Sequence, residues 1–238
     1  GQYAGFSNVS NIRLATNQDR MDEYMQYAGV ASTIGVNVQT LTPDEVVQYW
    51  PLAVKDNLIG AIRHPDDGYI QPADLTQALA KGARDNGGEI IRNTTVTAIS
   101  RTSSGEWKVT TDKGEIICEH IVSATGNFAR NTGQMVGLDI PVIPVEHQYI
   151  VTEPHPAIQE RQAKGLPEMG VLRESDGSWY MREENGGLIL GPYEVGAPVC
   201  YFDGTSEDSE YELFQEELER LMPHIESAIA RVPAFAEV

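Results

Sequence analysis

Cysteine is scarce in this chain: two in 238 residues, Cys118 and Cys200, with no CxxC spacing. That pattern points to two reduced packing residues rather than a disulfide framework or a thiolate metal site. Basic residues are scarce too, with 17 Lys and Arg against 35 Asp and Glu and a net charge of −18. Such a balance repels nucleic acid and anionic lipid, and the basic residues form no compensating cluster. No run approaches 18 apolar residues, so the sequence predicts no membrane-spanning helix. The five histidines have no metal-ligand spacing, and GxSxG, HExxH and GxxxxGK[ST] are all absent, which removes the chemistries those motifs carry. There is also no GxGxxG. Gly87-Gly88 and Gly186-Gly187 lack both the third glycine and the helix that should follow.

What is present suits a folded protein of one or two domains: 41% hydrophobic residues and three tryptophans. Residues 1–16 read as strands, with Ile12, Leu14 and Thr16 on one face. Asn17 is placed to cap a helix through Met21, Tyr24, Met25 and Ala28. Thr42-Pro43-Asp44-Glu45 is a stronger helix start, with Thr as N-cap and Pro at N1. Residues 58–63 read as a strand and Pro65-Asp66-Asp67-Gly68 as a turn. Pro72 starts a helix with Leu75, Ala78, Leu79, Gly82 and Ala83 on one face, ended by Gly87-Gly88. Strands are expected at 89–92 and 95–99, then a meander over 107–111 and 115–118. Ile121-Val122 should be a buried strand running into Ser123-Ala124-Thr125-Gly126, where small residues admit a ligand to the backbone. A helix over 127–136 follows, then a strand over 147–151. Residues 154–168 read as a loop, and strands resume at 170–173, 178–182 and 188–190. The last element is an amphipathic helix marked by Tyr211, Phe214, Leu218, Leu221, Ile225 and Ile229, which Pro223 should break or kink.

Several of these segments together resemble a known family. The run IVSATG, Phe128-Ala129-Arg130, the strand Pro144-Val145-Glu146-His147-Gln148-Tyr149, Ile12-Arg13-Leu14-Ala15-Thr16, Asp67-Gly68-Tyr69-Ile70-Gln71-Pro72 and Gly191-Pro192-Tyr193-Glu194 are similar to motifs of the FAD-dependent amine oxidoreductases of the D-amino-acid oxidase superfamily. The resemblance is nearest to the dimethylglycine and sarcosine dehydrogenases and spans nearly the whole chain. It implies an α+β / α/β fold: a partial, Rossmann-like FAD-binding domain and a mixed β-sheet substrate domain flanked by helices. The expected division is 1–72 substrate domain, 73–140 part of the FAD-binding domain, and 141–238 substrate domain again. The missing glycine fingerprint makes the chain read as the interior of a longer polypeptide.

The implied activity is oxidation of an N-methylated glycine derivative, dimethylglycine or sarcosine, by hydride transfer to FAD. Another secondary amino acid as substrate, or a non-catalytic regulatory relative, are the alternatives. An amine must lose its proton before its C–H is readily oxidised, and a substrate carboxylate calls for an arginine. The resemblance makes His147 and Tyr149 the catalytic candidates, and Val96, Ala124, Thr125 and Gly126 the cofactor-binding ones. Strand alternation adds Tyr180 and Arg182 as substrate-binding candidates, Tyr193 joins them as the residue after the Gly191-Pro192 turn, and Arg173 is a rival cation. No metal is expected. Tetrahydrofolate could enter through a domain outside this chain. The expected partner is a small-molecule amine, with no nucleic acid or membrane. The expected location is the cytoplasm of a prokaryote or the mitochondrial matrix of a eukaryote.

Overall fold

The computed structural model describes residues 2–206, 209 and 212–237. In chain order the elements begin with β1 (Phe6–Ser7), β2 (Asn11–Ala15), α1 (Gln18–Thr33), β3 (Gln39–Leu41), α2 (Pro43–Tyr49), β4 (Gly60–His64), β5 (Tyr69–Ile70) and α3 (Pro72–Asp85). The meander follows as β6 (Val96–Arg101), β7 (Trp107–Thr111) and β8 (Gly114–Cys118), then α4 (Ala129–Gln134). Last come β9 (Ile150–Val151), α5 (Pro156–Ala163), β10 (Val171–Glu174), β11 (Trp179–Glu184), β12 (Gly187–Pro192) and α6 (Leu218–Arg231). Helices, one mixed sheet and antiparallel sheets therefore share the chain, in line with the fold-class expectation.

The helix starts follow from local chemistry. The Asn17 side chain accepts from the Arg20 N–H and satisfies one orphan donor of α1. At α2, Thr42 and Glu45 bond reciprocally to each other's backbone N–H, completing a capping box with Pro43 at N1.

The chain forms two compact units, one of Gly1–Lys81, His147–Val195 and Glu216–Val238, the other of Gly82–Glu146 and Gly196–Gln215. The first is built on a seven-stranded sheet of order β3-β4-β2-β10-β11-β12-β9. The β2–β10 pair is parallel and every other pair is antiparallel. Ile12, Leu14, Leu172, Trp179, Met181, Leu188 and Leu190 belong to one buried cluster with Val46 of α2, Ile158 of α5 and Ala228 of α6. Both buried tryptophans keep their indole N–H satisfied, Trp50 on the Gly170 carbonyl at 2.7 Å and Trp179 on Ser227 at 3.0 Å. Truncating either side chain would cost about 3–5 kcal/mol. Over the β4–β2 part of the sheet, Tyr24 and Met21 of α1 pack with Ala15 and Ile62. That same face continues through Arg13, Arg173, Tyr180 and Arg182, which are only half-buried.

The second unit holds the antiparallel sheet β6-β7-β8 and α4. Here the structure departs from sequence expectation. Residues 119–125 carry no strand, and Val122 is 91% exposed. A strand requires a ladder, and among the described residues none pairs with this run. For the same reason residues 89–92 are irregular. The helix expected over 127–136 is shorter, a 3-10 turn at Gly126–Phe128 continuing into α4.

Other departures lie in the first unit. Residues 156–163, expected as loop, form α5, capped by His155 through Nδ1 with Pro156 at N1. Of the strand expected over 147–151, only Ile150–Val151 joins a ladder. The last helix starts at Leu218 and runs through Pro223 unbroken. Pro223 stands on the exposed face, where water can meet the carbonyl its missing N–H leaves free. Phe214 lies outside that helix, and Tyr211 lies outside the described residues.

Candidate active-site face of the seven-stranded sheet

Strict alternation along β11 buries Trp179, Met181 and Glu183 and leaves Tyr180, Arg182 and Glu184 half-buried on the other face. Register then decides the neighbours. Tyr180 stands between Arg173 on β10 and Gly191 on β12, and Arg173 stands beside Arg13 on β2. Gly191 is required there, because a Cβ at this position would sit on the Tyr180 ring. The Tyr180 and Tyr193 rings lie 5.8 Å apart at 51°. The Arg173 guanidinium lies 5.6 Å from the first centroid and 6.0 Å from the second, and it donates to the Tyr193 hydroxyl at 2.7 Å. Arg13, Arg173, Ser178 and Tyr193 are among the residues lining a cavity of about 250 Å³.

Arg182 shares the strand face of Tyr180, but its head turns elsewhere. It pairs with Glu184 at 2.5 Å and lies 4.3 Å over the Tyr69 ring. These residues line a second cavity of about 460 Å³ with Glu168. Burial pushes the Glu168 carboxyl above its ordinary value, and the Tyr69 hydroxyl faces it at 3.3 Å.

His147 and Tyr149 stand just before β9, outside the ladder. Tyr149 is 65% exposed, one step beyond the final Leu190–Ile150 pair. His147 Nδ1 is 3.8 Å from the carboxylate of Glu194, a buried residue that also faces Arg220 at 3.4 Å. Gln148 accepts from the Glu217 N–H at 2.8 Å, which ties this segment to the start of α6.

The four cofactor candidates lie in the second unit. Val96 opens β6 and is 38% exposed. Ala124, Thr125 and Gly126 are exposed and lead into the 3-10 turn. Gly126 has φ +54°, with open space where a Cβ would point. Among the described residues the N–H groups of Ala124 and Thr125 form no hydrogen bond. Small side chains, an open backbone and free donors fit close approach by a flat cofactor such as FAD. An apolar cavity of about 300 Å³ adjoins them, lined by Ile99, Trp107, Ile121, Ser123 and Ile140 among others.

The structure thus brings Tyr180 and Tyr193 together around Arg173, and takes Arg182 to a different cavity. Arg13 and Glu194 did not emerge from the sequence as site residues. The signal for Arg13 is its register beside Arg173, which only sheet pairing reveals. Glu194 stood in a motif, but nothing in the sequence marked it as buried. Among the described residues no group of three or more His, Cys, Asp or Glu is placed to hold a metal ion, and no helix is long and apolar enough to cross a membrane.

A family model described as FAD dependent oxidoreductase matches residues 1–236. The chain is 35% identical over 240 residues to the mitochondrial dimethylglycine dehydrogenase of Rattus norvegicus, covering 99% of this chain and 28% of that one. It is 31% identical to the mitochondrial sarcosine dehydrogenase of Homo sapiens, covering 99% and 25%. The chain therefore spans about a quarter of the length of these curated relatives. Among solved structures, L-proline dehydrogenase from P. horikoshii superimposes with a TM-score of 0.77 at 23% identity, over 98% of this chain and 58% of the other.

Proposed function

Because this chain belongs to the FAD dependent oxidoreductase family, we propose that it is part of a flavoenzyme oxidising the carbon beside the nitrogen of an N-methylated glycine, dimethylglycine or sarcosine. The observation that carries the proposal is the sheet face on which Arg173, Tyr180 and Tyr193 meet beside a cavity. Similarity to dimethylglycine and sarcosine dehydrogenases over the whole chain supports the choice of amine.

FAD, when bound, supplies the oxidising chemistry. In this reading Val96 and the open backbone of Ala124, Thr125 and Gly126 contact it. The first unit's residues orient the amine and manage its proton. An ammonium resists oxidation at the adjacent carbon, so a group near the nitrogen must accept a proton. His147 and Tyr149 are assigned that task. Tyr180 and Tyr193 offer ring faces to an N-methylated nitrogen. Arg182 belongs to the substrate layer through the second cavity, with its charge partly met by Glu184.

The test is stopped-flow reduction of the full-length protein by dimethylglycine and by sarcosine. Tyr149→Phe should slow flavin reduction by about 10²-fold if the hydroxyl acts in proton transfer. An unchanged rate would remove Tyr149 from the chemistry, and failure of both amines to reduce wild-type flavin would refute the substrate assignment.

A further inference from the structure

We propose that Arg63 and Arg161, with Ser10, form a binding site for the phosphoryl group of a small phosphomonoester. The site lies on the face of the seven-stranded sheet opposite to Arg13, Arg173 and Tyr180, and it is independent of the proposed oxidation.

Register places the site. Arg63 of β4 pairs directly with Ile12 of β2, and directly paired residues share a sheet face. Ile12 and Leu14 belong to the buried cluster with Val46 of α2 and Ile158 of α5. Arg63 therefore stands on the face that α2 and α5 cover, whereas Arg13, between Ile12 and Leu14, stands on the other. Tyr49 ends α2, and Arg161 belongs to α5. With Ser10, Gln48 and Glu168 these residues line a cavity of about 300 Å³, a volume within the range of small-molecule sites.

The chain carries 35 acidic residues, and Arg20, Arg182 and Arg231 each have a carboxylate partner. Among the described residues Arg63 and Arg161 have none. Arg63 lies 4.3 Å over the Tyr49 ring and donates from Nε to Ser10 Oγ at 3.3 Å and from Nη1 to Gln39 at 3.0 Å. Its Nη2 has no partner among the described residues. Arg161 donates from Nη2 to the Pro167 carbonyl at 2.9 Å, and its Nε is buried without a partner. Buried donors are rarely left unpaired.

Ser10 supplies an independent sign. It is 4% exposed and has φ 69°, a left-handed conformation that strains a residue other than glycine and that clusters at binding sites. A glycine would sit there without strain, but it would carry no hydroxyl. Ser10 Oγ accepts from Arg63, and its own O–H has no acceptor among the described residues, so it can donate into the cavity. Glu168 is the one carboxyl among the described lining residues. Burial pushes it above its ordinary value, so its charge opposes an anion less than an exposed carboxylate would. Its Oε1 is buried without a partner and suits a hydroxyl carried by the ligand beyond the phosphoryl group. A phosphoryl group offers three acceptor oxygens to donors spread around it, where a carboxylate offers two in one plane.

The experiment titrates this chain with inorganic phosphate, glycerol 3-phosphate and acetate while NMR follows the Nε–Hε resonances of Arg63, Arg161 and Arg231. Saturable shifts at Arg63 and Arg161 are expected with both phosphates, with glycerol 3-phosphate the tighter and acetate weaker by at least about tenfold. Arg231, whose donors are already occupied, should not move, and it reports any general effect of ionic strength. Arg161→Gln should weaken phosphate binding by at least about tenfold. Arg161→Lys should weaken it as well, because the charge remains and the fork does not. Ser10→Gly should weaken it about three- to tenfold without lowering Tm, since relief of strain offsets the lost hydroxyl. Far-UV circular dichroism checks each fold. If Arg161→Gln unfolds, the wild-type titration and Arg161→Lys decide the matter. Absence of saturable shifts at Arg63 and Arg161, equal shifts at Arg231, or acetate binding as tight as phosphate would each overturn the proposal. Unchanged affinity in the Arg161 variants would overturn it too. Equal affinity for the two phosphates would mean an adventitious ion only, and would equally overturn it.

Discussion

Replacing Arg231 with Gln should be among the most destabilising single changes in the first unit. Arg231 is 5% exposed and ends α6, where its Nε meets Glu174, itself 8% exposed, at 2.9 Å. Its Nη1 donates to the carbonyls of Val54 and Asp56, both at 2.7 Å. One side chain thus ties the C-terminal helix to a loop 175 to 177 residues earlier and to strand β10. Removing one partner of a buried ion pair strands the other charge, which costs about 3–5 kcal/mol. Glu174→Gln leaves Arg231 bonded to both carbonyls, so it should cost less, about 1.5–3 kcal/mol. Urea unfolding followed by the fluorescence of buried Trp50 and Trp179 reads both. With a slope of about 1–3 kcal/mol per molar urea, the Arg231→Gln midpoint should fall by about 1 M or more. A double-mutant cycle should show strong coupling between the two sites. An Arg231→Gln variant within about 0.5 kcal/mol of wild type, the range of an ordinary surface change, would refute the reasoning.

Three further outcomes are expected. Burial, and secondarily Arg13, hold the His64 imidazole below its ordinary range. The unfolded chain therefore binds the His64 proton first, and this contribution to stability is lost as pH falls below about 6.5. His64→Gln should flatten the slope of the unfolding midpoint between pH 7 and pH 5, and an unaltered slope would contradict the assignment. Gly191→Ala should displace the Tyr180 ring and cost about 1–3 kcal/mol, visible as a changed near-UV dichroism and a lowered Tm. Thr42→Ala removes one half of the α2 capping box and should cost about 1 kcal/mol in thermal unfolding.

Elements that carry their own chemistry were legible in the sequence. Thr42-Pro43-Asp44-Glu45 specifies a cap and a first turn without reference to the rest of the chain, and α2 starts there. The meander of β6, β7 and β8 is local as well, with each strand pairing the next. Strands with a strong apolar alternation, such as β2 and β10, were legible even though their partners are distant, but weaker segments that need a distant partner were misread. Ile121-Val122 has the composition of a buried strand, yet composition cannot supply the neighbouring ladder. His155-Pro156 opens a helix that buries only Ile158, so no apolar stripe announces it. Pro223 reads as a breaker because the sequence does not say which face of α6 it occupies.

The candidate site was half legible for a related reason. Alternation along β11 separates Tyr180 and Arg182 from the core residues, but any polar strand face gives that pattern. What distinguishes this face is pairing across the sheet. Arg13 and Arg173 are 160 positions apart in sequence and adjacent only through the parallel β2–β10 ladder. Long side chains with polar ends suit the part of this sheet face beyond α1, since their hydrocarbon and rings cover the backbone while their heads stay available. Gly191 leaves room for the Tyr180 ring over β12, and the Arg173 guanidinium lies 5.6 Å and 6.0 Å from the centroids of the Tyr180 and Tyr193 rings. The residues that shield this face are therefore the same ones proposed to meet a ligand. A substitution at Arg173 should change stability and, in the proposed reading, binding, so loss of activity alone assigns it no role. A loss of carboxylate binding larger than the change in unfolding free energy explains would assign the role to recognition.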